Sequence, residues 1–173
     1  MDDLRADLAR VGRAGPVGLV WAFLVSPGTR AVILYRAQEG LRRSGRTRLA
    51  ELVSSTNALL TRAEILVGAQ FGPGLVIRHA YGIVVGAGVR AGADCTLLHQ
   101  ATLGEKRADG GGEHDYPVLG DRVTVGVGAC VLGNVQVGDD SHIGAGALVL
   151  HDVPPCSVAV GQPARVSPRS CDE

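Results

Sequence analysis

Aliphatic side chains recur at every sixth position from Leu119 to Val149. The members of this series are Leu119, Val125, Val131, Val137, Ile143 and Val149, and a small or β-branched residue follows each of them four positions later. A period of six matches neither the period of about 3.6 residues in a helix nor the two-residue alternation of a strand. It fits a chain that folds one short strand in each repeat and then turns a corner, as in a β-helix built from hexapeptide repeats.

The same phase continues upstream. Its members there are Ile65, Phe71, Ile77, Ile83, Val89, Cys95 and Ala101, and the residues four positions later include Tyr81 and His99. Stacked coils of this kind bury each apolar row against the coils above and below. We therefore predict a mainly β fold, with a parallel β-helix over residues 63–166 and a short tail at residues 167–173.

The segment 1–62 lacks the six-residue period and is expected to be helical. Local signals predict helices over Asp2 to Val11, Val17 to Val25, Pro27 to about Arg43, and Arg46 to Leu60. We expect the apolar stretch from Val17 to Val25 to be a buried helix, because a membrane span needs roughly 20 residues. The helices are expected to cover one end of the β-helix, where open strand edges would otherwise invite aggregation.

Charge and cysteine usage exclude several classes of protein. The 17 basic residues balance 17 acidic ones, so no net field favours nucleic acid or a membrane surface as a partner. The four cysteines form no CxxC pair and no metal-ligand spacing, so we expect them to be reduced and no metal to be bound. Because the N-terminus lacks the basic and apolar regions of a signal peptide, we expect a cytoplasmic protein.

One stretch interrupts the six-residue phase. Residues 105–116 read EKRADGGGEHDY, with three consecutive glycines and six charged side chains. Burying such charges in a narrow apolar core is costly, so we expect this stretch to leave the β-helix as an extruded loop. Long loops on rigid scaffolds often carry function, and an insertion without a role is the alternative.

His79 is the leading candidate for chemistry among five histidines. It occupies the third position of the hexad that begins at Ile77, so its ring is expected to point outward from the β-helix. His99 falls at a corner position, and His114 lies in the loop. An outward histidine is also compatible with an ordinary solvated side chain.

From about Ser26 to Val166 the chain resembles the short form of the serine acetyltransferase family, whose members are left-handed β-helix acyltransferases. The segment IRHAYGIVVGAGV is similar to the active-site segment of that family, and YPVLGDRVTVGVGACVLGNVQVG with VPPCSVAVGQPARV follows its second half. The resemblance implies a left-handed parallel β-helix of hexapeptide repeats with a short N-terminal α-helical segment over residues 1–62. It also implies acetyl-CoA as the co-substrate and says less about the acceptor.

The resemblance implies roles for individual residues. His79 corresponds to the general base that takes the proton of the acceptor hydroxyl as it attacks the thioester. Glu64 corresponds to the acidic partner that orients the imidazole. Gly104, at a glycine-rich strand end, is our candidate for the donor to the thioester oxyanion.

Three further positions are candidates for binding CoA. The family positions that correspond to Val127 and Ala145 contact the pantetheine arm through their backbone, and Arg165 in the QPAR segment is a candidate partner of the nucleotide phosphates. The alternative for these positions, and for Gly104, is ordinary coil packing. The resemblance also implies a homotrimer, since the family builds its active site between adjacent subunits, and leaves open whether two trimers pair.

Three residues depart from the serine-using members of the family. Arg78 replaces the aspartate that precedes the histidine and helps to hold the ammonium group of the amino acid. Asp115 and Tyr116 replace an Arg-His pair that helps to hold its carboxylate and hydroxyl. A guanidinium beside the base repels an ammonium and attracts an anion, so these changes argue against L-serine as the acceptor.

Three functions therefore stay open. The first is an acetyl-CoA-dependent O-acetyltransferase of the serine acetyltransferase type, with L-serine as the family default and a place in cysteine biosynthesis. The second is the same chemistry on the hydroxyl of a sugar or secondary metabolite. The third is a non-catalytic trimeric scaffold, which His79, Glu64 and the loop disfavour.

Overall fold

The computed structural model describes residues 2–13, 15–106, 115–168 and 170. Within these ranges four helices precede fifteen short strands. The helices are α1 (Asp2–Arg10), α2 (Pro16–Val25), α3 (Pro27–Arg43) and α4 (Thr47–Thr61). The strands are β1 (Ala63–Ile65), β2 (Gln70–Phe71), β3 (Val76–Arg78), β4 (Ile83–Val85), β5 (Arg90–Ala91), β6 (Thr96–Leu98), β7 (Thr102–Gly104), β8 (Val118–Leu119), β9 (Thr124–Val125), β10 (Cys130–Leu132), β11 (Gln136–Val137), β12 (His142–Ile143), β13 (Leu148–Val149), β14 (Ser157–Val160) and β15 (Arg165–Pro168).

The strands form a three-sided solenoid, which confirms the predicted β-helix of hexapeptide repeats. Face 1 contains β1, β4, β7, β10 and β13, face 2 contains β2, β5, β8 and β11, and face 3 contains β3, β6, β9, β12, β14 and β15. Up to β13, successive strands along the chain lie on faces 1, 2 and 3 in turn. We name the edges where the chain turns the 1–2, 2–3 and 3–1 edges.

Rows of inward side chains run through the solenoid from coil to coil. On face 1 the parallel register places Ile65, Val85, Leu103, Val131 and Val149 above one another. All of them are buried. Since full burial of such a side chain contributes about 1.5–3 kcal/mol, one row stabilises the stack by something on the order of 10 kcal/mol before chain entropy is counted.

The first coil is longer than the six-residue phase predicts. Glu64 pairs with Val84, and Val84 pairs with Thr102, so the first of these offsets along the chain exceeds the second by two positions. The prediction of an unbroken phase through the first coil is therefore wrong. The two additional residues lie at the 3–1 edge between β3 and β4, where Tyr81 is 58% exposed although the phase places it inward.

A second, larger addition lies at the 1–2 edge between β7 and β8. Thr102 pairs with Cys130, and this offset exceeds the one from Val84 to Thr102 in the preceding coil by ten positions. Residues 107–114 of the predicted loop, including His114, lie outside the described residues. Lys106 and Asp115, at the two ends of that segment, both lie against Gly133, so the chain leaves and re-enters the solenoid at one place.

Helices α3 and α4 cover the end of the solenoid formed by β1, β2 and β3. The Tyr35 hydroxyl donates to the Ala69 carbonyl at 3.3 Å and accepts from the Phe71 amide at 3.0 Å. The Ser54 hydroxyl donates to the Ile65 carbonyl at 2.8 Å. These side chains satisfy backbone groups that have no further strand to pair with. Burial raises the pKa of Tyr35 to about 12, so its hydroxyl stays protonated and able to donate.

A buried arginine joins the helices to the first coil. Arg36 Nε donates to Asp7 of α1 at 2.7 Å, and its two terminal nitrogens donate to the carbonyls of Phe71 and Gly72 at 2.9 and 2.6 Å. Asp7 also accepts from the Leu75 amide at 2.7 Å. The two side chains of this ion pair are only 6% and 2% exposed. The pair therefore fixes α1 and α3 to the end of the solenoid.

Helix α2 is not buried, so the prediction for residues 17–25 is wrong. Val20, Trp21 and Leu24 are 61%, 57% and 61% exposed. Ala22 is buried, but the helix is apolar around its whole circumference and α3 is the one described element in extensive contact with it. Arg30 of α3 ties down its last turn by donating to the Phe23 carbonyl at 2.6 Å.

No single helix within the described ranges is long and apolar enough to cross a membrane. Two segments, Gly18–Val25 and Pro27–Arg43, reach that length and composition only when taken together, and they meet at a bend of 113°.

The cysteines and the last strand correct two further predictions. Cys95 and Cys130 are free, and burial of Cys95 in the core raises its pKa to about 11. Cys156 is disulfide-bonded, so the prediction that all four cysteines are reduced is wrong, and cysteine usage no longer supports a cytoplasmic setting. Strand β15 extends past Val166 into the predicted tail and pairs antiparallel with β14.

We expect Arg36→Ala to lower the free energy of unfolding by about 3–5 kcal/mol, because it leaves the carboxylate of Asp7 buried without its partner. Urea unfolding followed by circular dichroism at a fixed protein concentration measures the change. Arg122→Ala is the control: Arg122 pairs with Asp140 at the surface, at 2.6 Å, and its loss is expected to leave the midpoint unchanged. Equal midpoints for Arg36→Ala and the wild type would contradict the structural role of the buried pair.

Candidate active site

His79 lies at the 3–1 edge directly after β3, and its side chain is exposed, as predicted. The two additional residues of the first coil fall at this same turn. His79 has a φ of 57°, a region that residues other than glycine seldom adopt. Asp94 and Gln100, at other turns, have φ angles of 58° and 61°. The conformation is thus a property of the turns and does not by itself mark a site.

The first turn of α3 lies against the backbone that leads to His79. A Cβ built on Gly28 would overlap the carbonyl oxygen of Ile77 and lie 3.6 Å from the amide nitrogen of His79. Ser26 determines where this helix begins, because its hydroxyl oxygen accepts from the Thr29 amide at 3.3 Å. The absence of a side chain at position 28 therefore sets how closely the helix approaches the turn.

Val127 and Ala145 lie on the same edge as His79, in later coils. The amide that follows Val127 donates to the His99 carbonyl at 3.0 Å, and the amide that follows Ala145 donates to the Val127 carbonyl at 2.7 Å. These bonds stack the turns of successive coils directly above one another. The structure thus aligns three of the predicted site residues along the 3–1 edge.

Arg165 extends this alignment toward the last coil. It begins β15, is exposed, and lines an open depression of about 450 Å³ together with the rest of segment 160–165. The Gln162 side chain donates to the Gly146 carbonyl at 2.7 Å, which attaches the segment to the turn that contains Ala145. A guanidinium is therefore available near the far end of the row of turns.

Glu64 lies on the outer surface of face 1, at the centre of β1, and is exposed. The Gly82 amide donates to the Arg62 carbonyl at 2.9 Å, which holds the turn after His79 beside the start of β1. Among the described residues no hydrogen bond joins Glu64 to His79. Their pairing stays a prediction.

Gly104, Asp115 and Tyr116 lie at the 1–2 edge, across face 1 from His79. Nothing lies within 4 Å of the position that a Cβ would take on Gly104, so the surface there is open. One chain therefore brings these three predicted site residues together but does not bring them to His79 and Arg78.

The Tyr116 ring fills a space left by two glycines. A Cβ on either Gly86 or Gly88 would overlap carbon atoms of the ring. The hydroxyl of Tyr116 donates to Glu105, and this hydrogen bond is the main cause of the raised pKa of Tyr116. The ring is therefore held in one place at the base of the loop.

Arginines provide positive charge around the site. Arg78 is the last residue of β3, and within the described ranges its side chain forms no ion pair or hydrogen bond. Arg42 and Arg90 line an open groove of about 650 Å³ that reaches Tyr116. Sequence reasoning did not single out Arg42 and Arg90, because they belong to different elements and to no shared motif.

Sequence reasoning also missed the contact between His79 and His99. The centroids of the two rings are 5.9 Å apart, and the ring planes are inclined at 86°. Their separation along the chain equals the offset at which strands β3 and β6 pair, which is the length of the first coil. The equality of these two offsets could have revealed the contact from the sequence. A uniform six-residue phase gives a shorter first coil, so it does not place the two histidines side by side.

The histidines and carboxylates do not converge on a common point. Among the described residues no group of three or more His, Cys, Asp or Glu side chains is placed to hold a metal ion. The expected absence of a metal stays a prediction.

The sequence is similar to those of known transferases. Residues 116–151 match the family model described as Bacterial transferase hexapeptide (six repeats). The serine acetyltransferase of Mycobacterium tuberculosis is 40% identical over 164 residues, which cover 95% of this chain and 70% of the relative. The serine acetyltransferase of Helicobacter pylori is 41% identical over 167 residues, which cover 95% of this chain and 96% of the relative.

Solved structures of serine acetyltransferases are also similar to this protein. The serine acetyltransferase of Neisseria gonorrhoeae has a TM-score of 0.87 at 32% identity and covers 99% of this chain, which spans 67% of that one. The serine acetyltransferase of Brucella abortus in complex with coenzyme A has a TM-score of 0.86 at 32% identity, with 96% and 67% covered. The soybean serine acetyltransferase complexed with serine has a TM-score of 0.84 at 36% identity, with 94% and 67% covered.

We expect Gly28→Ala to lower the free energy of unfolding by about 1–3 kcal/mol, because the added methyl group overlaps the backbone that leads to His79. Gly40 of the same helix has nothing within 4 Å of a built Cβ, so Gly40→Ala is expected to raise stability by about 0.5–1 kcal/mol. Urea unfolding of the two variants beside the wild type measures both effects. If Gly28→Ala proves as stable as Gly40→Ala, α3 does not approach the turn as closely as described.

Proposed function

Because the chain belongs to the serine acetyltransferase family of hexapeptide-repeat transferases, we propose that it transfers the acetyl group of acetyl-CoA to the hydroxyl of L-serine. The observation that carries the proposal is the 41% identity to a serine acetyltransferase across 95% of this chain and 96% of that relative. The similar structures in complex with coenzyme A and with serine support the two substrates. The products are O-acetylserine and CoA, and O-acetylserine places the reaction in cysteine biosynthesis.

His79 is the proposed general base. It takes the hydroxyl proton as the serine oxygen attacks the carbonyl carbon of the thioester, and the resulting tetrahedral intermediate expels the CoA thiolate. The proton then passes from His79 to the departing sulfur. A positioned base of this kind contributes on the order of 10² to 10⁴ in rate.

Two residues are proposed to support this step. Glu64 would orient the imidazole and stabilise the imidazolium, which its position on the same side of the first coil permits. The backbone amide at Gly104 would donate to the oxyanion from the facing copy of the assembly described below, because in its own chain Gly104 lies across face 1 from His79. The open surface at Gly104 leaves room for the substrate.

The CoA arm is proposed to run along the 3–1 edge. His79, Val127 and Ala145 lie on this edge, and Arg165 lies beyond them. Adjacent coils are about 4.8 Å apart, so the three coil steps from the turn of His79 to that of Ala145 span roughly 14 Å. An extended chain laid on this edge presents its nucleotide phosphates toward Arg165.

A homotrimer is the proposed assembly. His79 and Arg78 lie at the 3–1 edge, whereas Asp115 and Tyr116 lie at the 1–2 edge of the same chain. A site that uses all four side chains therefore needs two copies, with the 3–1 edge of one facing the 1–2 edge of the next. A contact between two different surfaces closes into a ring under rotational symmetry, and threefold symmetry suits a three-sided prism.

Arg78 and Asp115 are proposed to hold the two charges of the acceptor. The similarity to serine acetyltransferases outweighs the expectation that Arg78, Asp115 and Tyr116 argue against L-serine. L-Serine is a zwitterion, so its site needs one cationic and one anionic partner, and a guanidinium that repels the ammonium group can hold the carboxylate. Arg78 supplies an exposed guanidinium beside the base, and Asp115 supplies a carboxylate from the facing copy. The acceptor carboxylate then meets Arg78 and the ammonium meets Asp115, with the fixed ring of Tyr116 as a wall of the pocket.

The same residues favour a second candidate. Arg78, Asp115 and Tyr116 also suit the hydroxyl of a sugar or secondary metabolite, because guanidinium, carboxylate and phenol groups all hydrogen-bond to neutral hydroxyls. The chemistry at His79 is unchanged in this alternative, and only the acceptor differs.

The cytoplasm is the proposed location. The proposed co-substrate, acetyl-CoA, is an intracellular metabolite. One relative, from Arabidopsis thaliana, is named as mitochondrial, so membership of the family does not fix the compartment.

The wild-type protein is expected to release CoA thiol from acetyl-CoA when L-serine is present. His79→Ala is expected to lower this rate at least about 100-fold without unfolding the chain, because the hydroxyl loses its base. A chromogenic thiol reagent measures release across L-serine, L-homoserine and several sugars, with a reaction lacking acceptor as the blank. Arg122→Ala, at the 2–3 edge and so outside both edges of the proposed site, should match the wild type. Activity of His79→Ala within tenfold of the wild type would rule out the base, and release only with a sugar would favour the second candidate.

We expect Arg78→Asp and Asp115→Arg each to raise the KM for L-serine at least about tenfold, because each puts like charges together. The KM for acetyl-CoA should stay within about twofold, since CoA binds along the other coils. The double variant, which exchanges the two charges, is expected to recover much of the loss. If Arg78→Asp alone improves the use of L-serine, Arg78 opposes the ammonium and the proposed anchoring is wrong.

A further inference from the structure

His99 lies next to His79 because of the register of face 3. Arg78 at the end of β3 pairs with Leu98 at the end of β6, and a histidine follows each of them. The two imidazoles therefore project from adjacent coils. Their centroids lie 5.9 Å apart at an interplanar angle of 86°, which is the edge-to-face arrangement that aromatic rings prefer.

Of the two rings, that of His99 is the one fixed by the solenoid. His99 is partly buried, whereas His79 is exposed. The His99 carbonyl accepts from the Gly128 amide at 3.0 Å, and the next amide, of Gln100, donates to the Tyr81 carbonyl at 2.9 Å. These bonds attach the turn to the coil before it and to the coil after it. His99 therefore presents a rigid surface to His79.

The buried edge of the His99 ring makes no polar contact. Its Nδ1 atom is buried and has no hydrogen-bond partner in the described part of the chain. A buried polar atom left without a partner costs about 1–3 kcal/mol. No hydrogen bond of this atom orients the ring, so its place is set by the turn that carries it and by its packing against His79.

We propose that His99 is a positioning residue, which fixes the imidazole of His79 in the orientation that faces the acceptor hydroxyl. The inference rests on the proposed role of His79 as the base. His79 lies on an exposed turn that is two residues longer than the turns above it. Within the described ranges no hydrogen bond holds its ring, so the contact with His99 is its restraint. A misplacement of about 1 Å is enough to cost roughly 100-fold in rate.

Two substitutions separate the ring of His99 from its nitrogens. His99→Phe keeps an aromatic ring in the contact, and His99→Ala removes it. We expect His99→Ala to lower kcat about 10- to 100-fold, while the KM for acetyl-CoA changes by less than about twofold. We expect His99→Phe to keep kcat within about threefold of the wild type, because the ring contact is preserved. Arg122→Ala, at the 2–3 edge, is the control and should match the wild type. Unchanged kcat in His99→Ala, or equal losses in His99→Ala and His99→Phe, would overturn positioning by ring packing.

A second measurement is independent of acetyl transfer. Relaxation of the Cε1 carbon of His79, in ¹³C-histidine-labelled protein and assigned by its loss in His79→Ala, reports the order of the ring on the ps–ns timescale. We expect the order to fall in His99→Ala and to persist in His99→Phe and Arg122→Ala. Unchanged order in His99→Ala would overturn the inference. If the His79 ring loses order in His99→Ala but the wild-type protein acetylates no acceptor, the restraint by His99 is supported and the proposed acetyltransferase function fails.

Discussion

The structure depends on the requirement that every coil return the chain to a position directly above the previous one. Parallel hydrogen bonds and inward rows form only when each strand stays in register with the strand one coil earlier, so extra residues are tolerated only at the edges. The pairing offsets of the described strands show two such additions, one of two residues beside His79 and one of ten residues beside Tyr116. The proposed base and the proposed acceptor-binding residues lie at these two additions. The backbone there does not have to keep the register of the stacked strands.

A stack of parallel strands also has two open ends, and the described chain covers the first end and part of the other. At the first coil, Tyr35, Ser54 and Arg36 replace the missing strand with side-chain hydrogen bonds. At the other end, β15 reverses direction and pairs antiparallel with β14, which ends the parallel growth of face 3. Covered ends prevent the coils from adding the strands of a second chain.

Much of this fold was predictable from the sequence because its signals are local. The six-residue rows predicted the solenoid, and Ser26-Pro27 located the start of α3. The longer first coil was not predictable in this way, because a shift of two residues preserves the inward and outward alternation of a strand, and Ile83 is inward in either register. The exposure of α2 depends on how many neighbours the helix has, which its own residues do not encode. For the site, the position of His79 in its hexad predicted that its side chain points outward. The contact between His79 and His99 was not predictable, because it depends on the two additional residues of the first coil.

The close approach of α3 at Gly28 shows that the helical segment supports the turn that carries His79. A fragment that begins at β1 would retain His79, Glu64 and every later candidate side chain. It would lose the support beneath the turn that carries His79, together with the hydrogen bonds that finish the first coil. The helices are therefore part of the framework of the coil that carries His79, and we expect the smallest active fragment of this protein to begin well before its first strand.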